Sequence, residues 1–414
     1  MQQATKPGLP AILVVTLVAA CAISLLSFGA RAAFGLFTAP LSADVGISRE
    51  VYALAIAIQN LAWGVTQPFA GFITDRFGPR RVMVGGAVLY SLGIVGLAFA
   101  TTPAQIYATA GVLAGIGMGG ASFTTAVAAL GRLMPESHRS WALGLGTAAG
   151  SLGQFVIVPI TQSLIDASGW RAGAWLMAAA VAAIVVAAGF VRAESGEKGA
   201  NSGAPGAPAA GHLQILATAF AHPSYLLLVF GFFVCGFQLA FITTHFPAYL
   251  VDLGVPGAVA SWAIAMVGLF NVVGAYMAGV LGGRPGSKKW LLSGVYWARG
   301  AVLLLFVLAP LSTTSVLLFG AGMGLLWLST VPLTSGLVAT FFGTRYMATL
   351  FGFVFLSHQV GSFFGVYAGG YFYERTGRYD AVWWLCIGLS IFAAVVNLPI
   401  RERASQRFGR LVAA

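Results

Sequence analysis

Twelve apolar segments alternate with short polar stretches along the 414 residues of the chain. Most of them exceed the roughly 20 residues with which an α-helix crosses the hydrocarbon core of a bilayer. Each run is continuously apolar and does not alternate with polar residues, which favours helices and excludes a barrel. The pattern therefore predicts an all-α membrane protein with twelve transmembrane helices. Their expected extents are residues 11–40, 51–74, 82–100, 104–131, 141–165, 172–191, 224–251, 259–282, 290–309, 312–342, 347–372 and 381–399.

The composition agrees with a membrane environment, because 58% of the residues are hydrophobic and only 8% are charged. An average soluble domain carries about 25% charged residues, so the bulk of this chain must meet lipid. The basic residues behind the formal charge of +11 lie between the apolar runs, where they flank a membrane, and nucleic acid is not an expected partner. The cysteines Cys21, Cys235 and Cys386 all fall inside apolar segments, so we expect neither disulfides nor a metal or other cofactor.

The distribution of basic residues predicts the orientation of the chain in the membrane. Of the 22 lysines and arginines, sixteen lie on the side of the bilayer that carries the two chain ends. Four lie on the opposite side, at Arg49, Arg171, Arg375 and Arg378. This bias predicts a multi-pass protein of the bacterial inner membrane with both termini in the cytoplasm. The first apolar run lacks a short hydrophobic region followed by a cleavage site, so we expect it to remain as the first helix.

Residues 193–213 form a polar stretch rich in Gly, Ala, Ser and Pro, which is typical of a flexible linker. The linker divides the chain into an N-terminal six-helix half (1–192) and a C-terminal six-helix half (214–414). A shift of 208 residues superimposes anchor residues of the two halves in several loops, which indicates a duplication. Parallel repeats predict a substrate site near the bilayer midplane, between halves that rock. The superimposed pairs include Gly71 with Gly279, Arg76 with Arg284, Gly144 with Gly352, and Asp166 with Glu374.

Arg31 is the most informative charged residue, because it lies about 15 Å from the outer end of the first segment. An ionisable group at that depth is costly and is a functional hypothesis by default. No Asp or Glu lies well inside any segment, so a substrate carboxylate is one candidate for the missing counter-ion. The alternative is that Arg31 bonds backbone carbonyls and polar neighbours and never meets the cargo.

Two histidines and several polar side chains complete the candidate substrate-binding set. His245 and His358 are the internal groups that titrate near neutral pH, and each is a candidate to carry a proton or bond a carboxylate. Packing is the alternative role for both. The polar candidates can equally bridge neighbouring helices. They are Thr125, Gln154, Asn271 and Gln359, with Gln59, Asn60, Gln238 and Thr330 as weaker candidates.

Five parts of the chain resemble the motifs of a known family. The loop GFITDRFGPRR (71–81) and the glycines of the fifth segment resemble the signature motifs of the major facilitator superfamily. The stretches GARAAFGLF (29–37), CGFQLAFITTHFPAYL (235–250) and SHQVGSFFGVYAGG (357–370) resemble the bacterial relatives of monocarboxylate and oxalate/formate transporters. The resemblance covers the whole chain. It implies the major facilitator fold and secondary active transport of a small organic anion, in particular a monocarboxylate, with protons as an optional co-substrate.

The resemblance also sorts the candidate residues by their position in the fold. It implies that the first, fourth, seventh and tenth helices line the cavity, which favours His245, whereas the third, sixth, ninth and twelfth helices are peripheral. Arg299 in the ninth segment is therefore expected to pack between helices. The chain departs from these carriers in its eighth segment, where residues 261–281 carry no charge and Asn271 stands among apolar neighbours. The anion-binding arginine that such carriers place there has no counterpart in this chain.

The signature loop implies a latch that holds the cytoplasmic side shut in one of two states. Asp75 is expected to accept hydrogen bonds from a helix N-terminus or to pair with Arg132, and Gly71 to permit close helix contact. Arg76 and its counterpart Arg284 complete the predicted gate. The alternative is that the basic residues of the loop only enforce the topology.

Other classes of function lack their chemistry in this sequence. An enzyme needs a convergent nucleophile or metal constellation, and none is visible. A phosphate-binding loop is absent too, which excludes primary active transport within this chain. An exporter of a drug or other hydrophobic small molecule and a transporter-like nutrient sensor remain as alternatives to an importer of a small organic anion. We expect the protein to act as a monomer.

Overall fold

The structure is a computed structural model that describes residues 10–191, 212–284, 286–343 and 346–413. Regular structure over these residues is helical throughout, which confirms the predicted all-α fold. The expected linker at 193–213 lies almost wholly outside them. The helices are α1 (Ala11–Ala33), α2 (Thr38–Val45), α3 (Arg49–Phe77), α4 (Pro79–Phe99), α5 (Pro103–Ile106), α6 (Ala114–Ala121), α7 (Phe123–Leu133), α8 (Glu136–Ser168), α9 (Trp170–Gly189), α10 (His212–Phe220), α11 (Pro223–Asp252), α12 (Gly257–Gly282), α13 (Lys288–Leu308), α14 (Thr313–Leu326), α15 (Thr330–Phe342), α16 (Met347–Thr376), α17 (Asp380–Asn397) and α18 (Gln406–Ala413).

Twelve crossings emerge from these helices, and three of them are broken. The first consists of α1 and α2 joined by a 3-10 turn, the fourth of α5 to α7 with a π-helical stretch, and the tenth of α14 and α15. Within the described chain, eleven crossings are long and apolar enough to span a membrane by length and composition. The remaining one is α3, whose hydropathy is lowered by the amide side chains of Gln59, Asn60 and Gln67.

The break in the first crossing lies where it meets α11. At Gly35 an added Cβ would come 2.0 Å from the carbonyl oxygen of Thr243, so no side chain fits there. Pro247 has no N–H and leaves that same carbonyl without its usual helical partner. The next carbonyl of α11, that of Thr244, accepts a hydrogen bond from the hydroxyl of Thr38 at 3.1 Å. The 3-10 turn therefore brings the first crossing into direct backbone contact with the C-terminal half.

Glycines spaced by four residues predict helix-packing surfaces on the fourth and eleventh crossings, at Gly111, Gly115 and Gly119 and at Gly361, Gly365 and Gly369. An added Cβ at Gly115 would lie 2.5 Å from the carbonyl oxygen of Gln59 on α3. One at Gly361 or Gly365 would lie 2.0 or 2.1 Å from a carbonyl oxygen of α11. These contacts confirm that the glycine stripes of the fourth and eleventh crossings are helix-packing surfaces.

Two helix pairs join the halves, because α3 packs along α16 and α8 packs along α12. For orientation, we call the end of the molecule where α3 begins the Arg49 face and the end where α3 finishes the Arg76 face. These four helices run from one face to the other. The contacts along them therefore show how closely the halves approach at each face.

Candidate functional site

Arg31 lies in the last turn of α1 and has no acidic partner. One of its Nη atoms donates to Oδ1 of Asn60 at 3.3 Å, and its Cζ stands 5.0 Å from the centroid of the Trp63 ring. The amide of Asn60 is itself held by a bond from Nδ2 to the carbonyl of Ile56 at 2.8 Å. Among the described side chains, no carboxylate oxygen lies within 4 Å of the guanidinium. The guanidinium of Arg31 is thus half-buried, and the groups that stabilise its charge are a neutral amide and an aromatic ring.

A small cavity opens beside this guanidinium. Its volume is about 10 Å³, which is about the room that one water molecule or one carboxylate oxygen needs. Apolar and aromatic walls surround a few hydroxyl groups, and every lining residue belongs to the N-terminal half. The lining consists of Ser27, Phe28, Arg31, Trp63, Tyr90, Met118, Ser122 and Phe123.

Thr125 lies next to this cavity without lining it. Its hydroxyl donates to the carbonyl of Gly119 at 3.2 Å and stands 3.2 Å from the hydroxyl of Ser122. Ser122 falls between α6 and α7, where the fourth crossing is broken. Thr125 thereby supports a lining residue, and its direct contact with substrate stays a prediction.

His358 and Gln359 reach the same level from the C-terminal half. The Phe355 ring lies parallel to the His358 ring at 5.8 Å and meets the edge of Trp63 at 5.3 Å. Nδ1 of His358 is 3.1 Å from Oε1 of Gln359, whose buried Nε2 has no partner among the described residues. The structure therefore links Arg31 to His358 through two aromatic side chains across the interface between the halves.

Gln154 and Asn271 form hydrogen bonds between the halves. Nε2 of Gln154 on α8 donates to the carbonyl of Ile264 on α12 at 2.8 Å. Nδ2 of Asn271 on α12 donates to the hydroxyl of Ser151 on α8, also at 2.8 Å. The amide oxygen of Asn271 accepts from the N–H of Leu328 at 2.9 Å. Both side chains are buried with their bonds made, and their role toward a substrate stays a prediction.

His245 lies apart from these residues, toward the Arg49 face. Its Nε2 is 2.8 Å from the carbonyl oxygen of Val366, and its ring centroid is 5.3 Å from that of Tyr379. Its Nδ1 is buried and has no partner within the described structure. The sequence grouped His245 with Arg31, whereas the structure places it beside the Arg49 cluster described next.

The Arg49 face is held shut by an ion pair between the halves. Ser48 caps α3 by accepting a bond from a backbone N–H, which places Arg49 in the first helical turn. Nη1 and Nη2 of Arg49 each donate to a different oxygen of Asp252 at the end of α11, at 2.5 and 2.6 Å. Nη1 also lies 3.2 Å from the hydroxyl of Tyr379, and the ring of Tyr373 lies 4.0 Å below the guanidinium. Burial raises the pKa of Tyr379, so its hydroxyl stays neutral beside Arg49.

A second ion pair joins the halves at the same face. Glu50 accepts from Arg375 of α16 at 3.1 Å and from the hydroxyl of Tyr367 at 3.2 Å. The helices also touch directly there, since an added Cβ at Gly370 would lie 2.5 Å from that of Ala53. Two bonded pairs and close helix contact thus close the Arg49 face. The sequence counted Arg49 and Arg375 only as outer basic residues, because their partners lie more than 200 residues away.

At the Arg76 face, no ion pair between described residues joins the halves. The four glycines that the 208-residue shift pairs near this face are open, with no described atom within 4 Å of an added Cβ. Arg76 and Arg284 are both exposed. The side chains of Asp75 and Arg132 lie outside what the structure describes, so the predicted latch between them stays a prediction. The open glycines are Gly71, Gly144, Gly279 and Gly352.

Of the residues that line the cavity, Arg31 alone was predicted from the sequence. Tyr90 lies on the third crossing, which was expected to be peripheral, and Trp63 has no polar signal that separates it from ordinary core. Asn60 was a weak candidate and proves to be the amide that bonds Arg31. Each of these roles depends on neighbours that are distant in sequence.

Twelve crossings in two halves, joined at one face by ion pairs, are typical of a membrane transporter. The family profile described as Major Facilitator Superfamily matches residues 19–365. The chain belongs to this superfamily of transporters and is not an enzyme, which confirms the resemblance stated above.

Similar sequences include both bacterial and animal proteins. An uncharacterized MFS-type transporter, YcxA of Bacillus subtilis (strain 168), is 27% identical over 390 residues that cover 91% of this chain and 92% of the relative. Monocarboxylate transporter 13 of Rattus norvegicus is 28% identical over 367 residues that cover 86% of this chain and 82% of the relative.

Solved structures share the fold. A D-xylose-proton symporter superimposes with a TM-score of 0.74 at 15% sequence identity, covering 94% of this chain and 98% of that one. The nucleoside transporter NupG superimposes with a TM-score of 0.74 at 14% identity, covering 93% and 99%. At these identities the likeness establishes the architecture alone.

Proposed function

We propose that this protein is a secondary active transporter that moves a small organic anion, in particular a monocarboxylate, across the bacterial inner membrane by alternating access. The observation that carries the proposal is the unpaired charge of Arg31 beside a cavity with mostly apolar walls. An unpaired cation in a membrane interior costs several kcal/mol, and a carboxylate that binds there offsets this cost. The planar guanidinium also suits a carboxylate better than a lysine would.

The lining of the cavity supports a cargo with a single negative charge and an apolar body. One cation is present, whereas a sugar phosphate would require several. The rings of Phe28, Trp63 and Phe123 offer apolar walls for the body of the molecule. The names of the animal relatives as monocarboxylate transporters agree with this substrate class.

The two faces support alternating access as the mechanism. The ion pairs at the Arg49 face join the halves, and the open glycines at the Arg76 face leave room for the halves to approach there. By the distribution of basic residues, the Arg49 face is periplasmic, and this state opens to the cytoplasm. In the opposite state the ion pairs separate and the Arg76 face closes. Closure is proposed to involve Gly71, Asp75, Arg76, Arg132 and Arg284.

Uptake of radiolabelled carboxylates into proteoliposomes tests the proposal. We expect wild-type protein to take up pyruvate or benzoate, Arg31→Lys to do so more slowly, and Arg31→Ala to be inactive at equal protein content. Uptake by Arg31→Ala at the wild-type rate would contradict the role of Arg31. Transport of hydrophobic cations in place of carboxylates would instead indicate a drug exporter.

A further inference from the structure

Tyr90 carries a polar group that the structure leaves unsatisfied beside Arg31. The side chain extends from α4, is fully buried and lines the same cavity as the guanidinium. Its hydroxyl has no hydrogen-bond partner among the described residues. Buried hydroxyl groups are normally bonded, so an exception needs an explanation.

The other fully buried tyrosines show what is unusual about this one. The hydroxyls of Tyr52, Tyr225 and Tyr296 each donate to a backbone carbonyl at 2.6 to 2.8 Å. The hydroxyl of Tyr379 accepts from Arg49. Among these fully buried tyrosines, Tyr90 is therefore the one whose hydroxyl has no partner within the described structure.

The surroundings of Tyr90 keep its hydroxyl in place. Its ring lies nearly parallel to that of Phe34, at 6.3 Å between centroids and 11° between planes. Its backbone is in close contact with α6, since an added Cβ at Gly117 would come 2.3 Å from the nitrogen of Tyr90. The side chain thus cannot easily turn away to find another partner.

We propose that Tyr90 is a second ligand of the substrate carboxylate, which its hydroxyl contacts by donating a hydrogen bond to one oxygen while Arg31 binds the anion. This inference rests on the proposed transport of an organic anion. The cavity has the size of one carboxylate oxygen, so the head of the substrate enters it while the body lies against the aromatic rings at its mouth. Both ligands belong to the N-terminal half, so that half alone holds the anion.

With this arrangement the chain can bind an anion although its eighth segment carries no charged residue. Arg31 supplies the charge, and the neutral phenol adds a directed hydrogen bond without a second cation. A hydrogen bond to a charged group is stronger than one between neutral groups, so it contributes measurably to affinity.

Tyr90→Phe is the variant that tests the proposal, because it removes only the hydroxyl. Binding of pyruvate, L-lactate and benzoate to the purified protein is measured by calorimetry, together with the melting temperature without ligand. We expect the affinity for all three acids to fall about tenfold, as for the loss of a hydrogen bond to a charged group. The melting temperature should not fall, since no bond within the protein is lost.

Tyr296→Phe is the matched control from the C-terminal half. Its hydroxyl is bonded to the carbonyl of Gly231 at 2.6 Å, so this variant should lose stability and keep its affinity for the three acids. An equal loss of affinity in both variants would overturn the proposal, as would a loss in Tyr90→Phe that is confined to L-lactate, which has a hydroxyl of its own.

The remaining outcomes separate this inference from the proposed function. Unchanged affinity in Tyr90→Phe, with binding abolished in Arg31→Ala, would overturn the role of Tyr90 and leave anion transport standing. If the wild-type protein bound none of the three acids, both would be overturned.

Discussion

Two arginines lie inside the membrane region, and their surroundings differ sharply. Arg299 on α13 is fully buried, and its Nη2 donates to the carbonyls of Leu326 at 2.6 Å and Trp327 at 3.1 Å. Its Nη1 donates to Oε1 of Gln238 at 3.2 Å. Arg31 is half-buried and has one long bond to an amide. Neither has a carboxylate partner among the described residues.

The difference shows how a helix break can neutralise a buried charge. The carbonyls that accept from Arg299 lie at the C-terminal end of α14, where no further helical turn donates an N–H to them and the helix dipole is negative. These bonds from Arg299 pair the end carbonyls of α14 and tie α13 to α14, which confirms the packing role expected for Arg299. Arg31 has no such group of acceptors. A buried arginine is therefore structural or available to a ligand according to the acceptors around it.

The largest expected effect is on stability, in Arg299→Ala. This change leaves two carbonyls and the Gln238 side chain without their donor and opens a cavity, at a cost of about 3 kcal/mol. We expect a melting temperature several degrees below wild type in detergent, with affinity for pyruvate retained. Arg31→Ala, its counterpart, should melt near wild type because it removes an unpaired charge. Equal destabilisation by the two changes would contradict the distinction between the arginines.

Arg49 provides a third case, in which a carboxylate from the other half satisfies the charge. Asp252→Asn removes the negative charge from this pair, and we expect the Arg49 face to open more often. The probe is Ala53→Cys, a fully buried position between α3 and α16, in a background without the native cysteines. Alkylation by a membrane-impermeant maleimide should accelerate about tenfold, the factor for a shift of 1.4 kcal/mol.

The matched control for this labelling is Ala178→Cys, a buried position on α9 within one half. Its alkylation should be unaffected by Asp252→Asn. If both cysteines reacted faster, the change would have loosened the whole protein. If neither did, the ion pair would not hold the face closed.

The smallest expected effect concerns proton coupling. His245 is near the Arg49 cluster and its buried Nδ1 lacks a described partner, whereas His358 is bonded to its neighbour Gln359. We expect uptake to increase at low pH in the wild type, and this dependence to flatten in His245→Gln more than in His358→Gln. The measurement is the initial rate of uptake between pH 5 and 8. Unchanged profiles in both variants would place coupling elsewhere or indicate that there is none.

Much of the fold is predictable from local patterns in the sequence. Continuous apolar runs locate the twelve crossings, and glycines spaced by four locate the packing stripes. The breaks in three crossings were not predicted, because each is stabilised by distant residues. Arg299 and Asn271, for example, bond backbone groups at the break between α14 and α15.

The candidate site was only partly predictable for the same reason. Arg31 is visible in sequence because a charge in an apolar run is rare and costly. Tyr90 is not, since an unbonded hydroxyl is a property of everything packed around it. The pair of Arg49 and Asp252 is likewise invisible, because it joins residues 203 positions apart.

The availability of Arg31 to an anion is tested most directly by ligand-dependent thermal stability. A ligand that binds the folded protein stabilises it by about 2.7 kcal/mol at a concentration one hundred times its dissociation constant. We expect the melting temperatures of the wild type and of Arg299→Ala to rise with pyruvate concentration. That of Arg31→Ala should not change over the same range. An equal rise in Arg31→Ala and wild type would show that the anion binds without Arg31, and would contradict the account.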